Sequence, residues 1–174
     1  MKILAFGTSN SKHSINKKLA FYAAQQINNA DVSLIDINDF EMPIYSEDKE
    51  KESGIPQLAH DFYNAIGEAN TIIISFAEYN GSYTSAYKNL FDWTSRIDMK
   101  VFQNKAVIML STSPGPGGAQ SVLATAQASA PYFAANLVGA LSLPSFFDNF
   151  DSKQGVVTHN TFKQDLLSII SKLS

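Results

Sequence analysis

Three short stretches of this 174-residue chain gather groups suited to holding an anion and a flat ring. The first, GTSNSKHSIN at 7–16, sets Ser9, Ser11, Ser14 and Asn16 just ahead of a helical pattern. A helix start carries free N–H groups and the positive end of the helix dipole, so it favours a bound phosphate. The hydroxyls and the amide add donors to that field, and Lys12 adds a charge. By residue type alone, a metal site or a soluble Ser-capped turn also fits. The spacing is not that of a P-loop: counted from Gly7, Gly-Lys-Ser/Thr should fall at 12–14, where Lys12, His13 and Ser14 stand. Nor is it G-x-G-x-x-G, so one phosphate suits it better than a dinucleotide pyrophosphate.

The second stretch is AEYNGSYTSAYKN at 77–89. Glu78, Tyr79 and Asn80 sit at the tip of an apolar run, followed by Gly81, whose bare backbone admits a ligand closely. Glu78 has the chemistry of a catalytic acid, but no second carboxylate lies near it in sequence to complete an acid–base pair. The third stretch, STSPGPGGAQ at 111–120, exposes backbone around Ser113, Pro114 and Gly115 and can lie flat against a planar ring. Each is an ordinary turn by itself. Together they suggest a clamp for a planar molecule that carries a phosphate.

Composition narrows the chemistry further. With no Cys, the chain has no disulfide, thiolate nucleophile or Cys-ligated zinc, and its three His (His13, His60, His159) are too scattered for a metal motif. A net charge of −3 with Arg96 as the sole Arg argues against nucleic acid as a partner. The run MKILAF stops at Gly7, too short for a signal peptide, and no apolar run is long enough to span a bilayer. The expectation is a cytoplasmic protein, folded as one domain over 1–174.

These loops need a frame, and the chain supplies one. Strand-like runs fall at 3–6, 32–37, 71–76, 106–111 and 139–144. Near-continuous apolar strands such as TIIISF are the habit of parallel sheets buried on both faces. Helical patterns lie between them, at 14–27, 55–69, 84–97 and 118–137, and a last one closes the chain at 162–173. The first carries Ile15, Leu19, Tyr22, Ala23 and Ile27 on one face, with Ser14 as N-cap. Such alternation predicts an α/β three-layer sandwich built from right-handed βαβ units. In a parallel sheet the loops after strands one, three and four emerge at the same edge, where such folds bind ligands. The stretch 38–56 carries six acidic residues and reads as a long polar loop, either a solvated excursion or a lid or subunit contact.

With these residues in place, the sequence resembles the NAD(P)H-dependent FMN reductases, a flavodoxin-like family that includes bacterial quinone, azo-dye and chromate reductases. EYNGSY…KNLFDW at 78–93 is similar to the family's Pro-Glu-Tyr-Asn-Gly-Ser…Lys-Asn-x-x-Asp-Trp, and the first loop to its Gly-Ser-x-Arg-x-x-Ser-x-Asn. TSPGPGG resembles the third family loop. Departures are specific: Thr8 stands at the family Gly, Ser11 at the Arg, Ala77 at the Pro, and Thr84-Ser85 at Pro-Gly.

The resemblance implies a flavodoxin-like five-stranded parallel sheet of order 2-1-3-4-5 with helices on both faces. It implies FMN as cofactor and NADPH or NADH as co-substrate. Ser9, Ser11, Ser14, Ile15 and Asn16 would hold the FMN phosphate and ribityl chain. Glu78, Tyr79, Asn80 and Gly81 would line the isoalloxazine, and Ser113, Pro114 and Gly115 its pyrimidine side. Hydride would pass through the flavin to a quinone, azo compound, free flavin or similar small acceptor, with no side chain catalytic in the strict sense and no metal. The family also implies a homodimer or homotetramer that uses the helix after the second loop, on which Trp93 reads as core and Arg96 as a candidate for the interface. Two other classes compete: a flavodoxin-like electron carrier that NADPH does not reduce directly, and a phosphate-ester hydrolase, which lacks the Cys or paired Asp it needs.

Overall fold

The apolar runs become five strands of one sheet in a computed structural model that describes residues 1–173. They are β1 (Lys2–Gly7), β2 (Asp31–Leu34), β3 (Thr71–Phe76), β4 (Ala106–Thr112) and β5 (Asn136–Leu143). Every pairing is parallel and the order is β2-β1-β3-β4-β5, as the resemblance implies. The helices are α1 (Ile15–Gln25), α2 (Glu47–Ser53), α3 (Gln57–Glu68), α4 (Ser85–Ser95), α5 (Gln120–Ser129), the single turn α6 (Phe146–Asn149) and α7 (Asn160–Ile170).

Strand alternation sorts the core into two layers. Ile3, Ala5, Ile73, Ile108 and Leu110 face α1 and α7, while Leu4, Phe6, Ile72, Ile74, Val107 and Met109 face α3, α4 and α5. All six residues of β3 are buried, because β1 and β4 flank it and helices cover both its faces. That pinned strand aims the second loop.

Three boundaries differ from the expectation, each for a local reason. β2 stops at Leu34 rather than 37, since the Asp36 carboxylate accepts the Asn38 N–H and starts a 3₁₀ turn over Ile37–Phe40. β5 begins at Asn136 and the preceding helix ends at Ser129. Pro131 sits in a 3₁₀ turn there, and Ala134 closes it in the left-handed region at φ 56°. The acidic stretch is no plain loop, for it contains α2. Ser46 accepts the Lys49 N–H as its cap, and Glu47, Asp48 and Glu50 sit in the first turn, where the dipole favours them.

The acidic arm is also strapped to α4. Asn89 accepts the Tyr45 N–H at 2.9 Å and donates to the carbonyls of Met42 (3.0 Å) and Pro43 (3.1 Å). The Trp93 indole N–H donates to the same Pro43 carbonyl at 2.7 Å, and Tyr45 packs edge-on against Trp93. Trp93 is therefore core, and Arg96 donates to Glu50 on the arm at 2.9 Å.

Asp36 also accepts from Lys17 at 2.7 Å, joining α1 to the end of β2. Burial pushes the Asp36 carboxyl up, but the Lys17 ammonium and the Asn38 donors outweigh it and hold it below its ordinary value. The group thus stabilises the fold above the ordinary carboxylate range, and that contribution is lost as pH falls through the lowered folded value. Asp36→Asn is expected to flatten part of the acid-side fall in urea midpoint; an unchanged profile would contradict this.

Candidate functional site

The three loops meet beyond the carboxyl ends of β1, β3 and β4 and form one cleft. Of the residues singled out in the sequence, Ser9, Ser11, Ile15, Asn16, Glu78, Tyr79, Ser113 and Pro114 line it. Ser14, Asn80, Gly81 and Gly115 are not on its wall. Ser14 lies beneath it as the helix cap, Asn80 and Gly81 form an exposed tip, and Gly115 belongs to the third loop's own bonding. His13, Ala77, Thr112 and Phe147 also line the cleft.

The first loop winds into α1 through its own serines. Ser9 Oγ accepts the Ser11 N–H at 3.1 Å, Ser11 Oγ accepts the His13 N–H at 3.3 Å, and Ser14 Oγ accepts the Lys17 N–H at 3.0 Å. These bonds use oxygen lone pairs, so the Ser11 and Ser14 hydroxyl protons stay available to a ligand. Ser14 also satisfies Lys18 N–H with its carbonyl. The N–H groups of Ile15 and Asn16, first in the helix, then have no protein partner among the described residues. The cradle suits a single phosphate, with two free helix-start N–H groups in a loop that also carries three serine hydroxyls.

Asn16 has a second task that residue type did not reveal. The residue is 3% exposed and its side chain turns inward. Oδ1 accepts from Ser75 Oγ at 2.7 Å and Thr112 N–H at 3.1 Å, and Nδ2 donates to the Thr112 carbonyl at 3.1 Å. One amide joins the start of α1 to the ends of β3 and β4. Gly7 brings the helix that close: a Cβ there would lie 2.3 Å from the Lys17 backbone nitrogen.

The second loop is a hairpin, with Glu78-Tyr79 paired antiparallel to Ser82-Tyr83. Asn80 (φ 53°) and Gly81 (φ 76°) both take positive φ, the turn that an Asn-Gly pair between strands favours. Tyr79 is 50% exposed, and its hydroxyl lies 3.3 Å from Ser9 Oγ across the cleft. Glu78 does not wait as a proton donor. Its Oε2 accepts the Val122 N–H at 2.8 Å, in the first turn of α5, whose own N-cap is Ala119 in the left-handed region with no side-chain cap. Glu78 therefore caps the helix that follows the third loop. Glu78→Ala is expected to cost about 1 kcal/mol of unfolding free energy, read by urea denaturation; no loss would contradict the capping role.

The third loop is pinned from behind. Ser145 and Phe146 N–H groups donate to the carbonyls of Gly115 and Ser113, each at 3.0 Å. The Gly118 carbonyl accepts from Ser111 Oγ (2.7 Å) and Ser142 Oγ (2.8 Å). Phe146 is buried and stacks on Phe150, while its neighbour Phe147 is 67% exposed at the cleft wall. A pair of adjacent phenylalanines gives no sequence signal for which ring faces a ligand. With Tyr79 and Phe147 as half-open aromatic walls, the cleft also suits a flat ring, so the residues present fit FMN.

Known proteins agree with this geometry. The family model described as NADPH-dependent FMN reductase matches residues 1–148. An NADPH:quinone oxidoreductase of Arabidopsis thaliana is 31% identical over 79% of this chain and 72% of its own. An NAD(P)H:quinone oxidoreductase of Solanum tuberosum is 29% identical over 99% of this chain and 91% of its own. Among solved structures, the flavoenzyme NAD(P)H:(acceptor) oxidoreductase FerB of Paracoccus denitrificans superposes with a TM-score of 0.74 at 22% identity, covering 99% and 94% of the two chains. The match to the family model and these relatives, with the cleft between the three loops, place the chain in the NADPH-dependent FMN reductase family, as an oxidoreductase.

Proposed function

We propose that this chain is an NAD(P)H:quinone reductase that holds FMN in the three-loop cleft. The observation that carries this reading is the free Ile15 and Asn16 N–H pair beside an open cleft walled by Tyr79 and Phe147. Bound FMN supplies the acceptance of hydride from NADPH or NADH and its return to a second substrate. The protein's share is to bind and orient. The first loop holds a phosphate with Ser9, Ser11 and Ser14 hydroxyls and the two N–H groups. Glu78 and Tyr79 line the ring from the second loop and Ser113 and Pro114 flank it from the third, with Asn80, Gly81 and Gly115 as the turns behind them. No carboxylate or imidazole is needed as an acid.

An open cleft admits small planar acceptors of several kinds, so azo compounds and free flavin belong to the same reading. A homodimer or homotetramer is part of it too. Tyr132 is 80% exposed, and the aromatic cleft between α4 and α5 gives a partner copy apolar surface to cover. A cytoplasmic setting, where reduced nicotinamide is replenished, completes the reading; among the described residues no helix is long and apolar enough to cross a membrane.

The test is steady-state oxidation of NADPH by a simple benzoquinone with and without added FMN. Turnover that requires FMN supports the proposal, and none in the presence of FMN overturns it. Ser14→Ala is expected to weaken FMN binding by about 1–2 kcal/mol, the worth of one hydrogen bond to a charged group, measured by quenching of flavin fluorescence. Unchanged affinity would remove the first loop from the site.

A further inference from the structure

Thr8 belongs to the loop that meets the ligand, yet it is 0% exposed and points away from the cleft's wall. Its side chain and its carbonyl both reach the second loop. Thr8 Oγ1 accepts the Ala77 N–H at 2.9 Å, and the Thr8 carbonyl accepts the Thr84 hydroxyl. Thr84 Oγ1 also accepts the Tyr87 N–H at 3.2 Å and so caps α4. Ala77 and Thr84 are the two ends of the segment that carries Glu78, Tyr79, Asn80 and Gly81. One buried residue therefore closes the flavin-facing loop at both ends.

We infer that Thr8 is a positioning residue. It sets the spacing between the phosphate cradle and the Glu78–Gly81 backbone, and so the place of the ring relative to its phosphate anchor. This rests on the FMN reading above. The departures from the family pattern noted in the sequence support it. Thr8, Ala77 and Thr84 stand at positions where the family pattern has Gly, Pro and Pro, and in this chain Thr8 bonds to both of the others. Proline at 77 has no N–H to give, glycine at 8 has no hydroxyl to receive it, and proline at 84 has none to donate. Two of the departures, Thr8 and Ala77, form one linked exchange, whereas Thr84 donates to the Thr8 backbone carbonyl, which a glycine there would keep. Buried polar groups explain why Thr8 and Ala77 must travel together: proline at 77 alone strands the Thr8 hydroxyl and glycine at 8 alone strands the Ala77 N–H, whereas changing both strands neither.

Two measurements test this, one with the cofactor and one without. Thr8→Val keeps shape and carbonyl but loses the hydroxyl, and Thr8→Ser is the conservative control. In the ligand-free protein, Thr8→Val is expected to speed amide hydrogen exchange across 77–83 at least tenfold while β1 amides stay protected, and Thr8→Ser to restore wild-type exchange. In the FMN complex, Thr8→Val is expected to bind at least tenfold more weakly and to shift the absorbance maximum of the bound flavin. Ala77→Pro alone should match that loss, and adding Thr8→Gly should recover most of it. Unchanged exchange at 77–83 in Thr8→Val overturns the inference whether or not FMN binds. A lower melting temperature with unchanged FMN affinity and flavin spectrum also overturns it, since Thr8 is then structural only. Faster exchange in a protein whose wild type binds no FMN upholds the loop's positioning by Thr8 and overturns the FMN reading instead.

Discussion

Asn16→Ala is expected to lower unfolding free energy by about 3–5 kcal/mol and to bring FMN binding below detection. The magnitude follows from what the amide leaves behind. The Ser75 hydroxyl, the Thr112 N–H and the Thr112 carbonyl each lose their bond to Asn16 in a place without solvent. A stranded buried group costs about 1–3 kcal/mol, part of which relaxation recovers. Affinity falls with stability because the same amide holds the helix start whose N–H groups face the cleft. Asn16→Asp separates the two effects. It can still accept from Ser75 and Thr112, but it loses the donor to the Thr112 carbonyl and places a negative charge beside the phosphate cradle. Urea unfolding of both variants checks this, and a loss under 1 kcal/mol in Asn16→Ala would contradict it.

Gly7→Ala is expected to be comparably severe for a different reason. The added methyl would lie 2.3 Å from the Lys17 nitrogen, 2.7 Å from the Asn16 carbonyl carbon and 2.8 Å from the Lys17 Cα. All are backbone atoms of the first turn of α1, so no side chain can swing aside. Either the helix start moves off the sheet or β1 bends, at about 3 kcal/mol or more. Both responses displace the Ile15 and Asn16 N–H groups, so FMN affinity is expected to fall at least a hundredfold. Gly117→Ala is the matched control, because a Cβ there meets nothing within 4 Å. Similar melting temperatures for the two variants would show that α1 does not depend on its close approach at Gly7.

The frame of the site could be read from the chain alone because its signals are local. Apolar runs, helical spacing and the Ser14 cap each fall within a few residues, and the parallel sheet follows from their alternation. The roles of Asn16 and Glu78 could not be read so, because their partners lie 96 and 44 residues away, and neither spacing belongs to any helix or hairpin. The N-terminus of α5 has no side-chain cap of its own, and nothing near it in sequence shows that a glutamate from another loop supplies one.

The helix inside the acidic arm was legible in principle. Ser46 ahead of Glu47 and Asp48 is a start signal, outweighed by a charge run that reads as solvated loop. The Asn-Gly pair likewise announced a hairpin, hidden by the loop's ligand-like composition. Thr8 looked like a flaw in the phosphate loop. Only the fold shows that it bonds to Ala77 and Thr84, two further departures from the same pattern.

On the proposed reading, the three-loop cleft holds FMN where NADPH can reduce it. The most direct test is the visible absorbance of the purified protein with stoichiometric FMN, recorded anaerobically before and after NADPH is added. A protein-bound flavin that bleaches rapidly is expected. Bound flavin that NADPH leaves oxidised would contradict it and make the protein an electron carrier. If no flavin stays with the protein, the cleft has some other ligand.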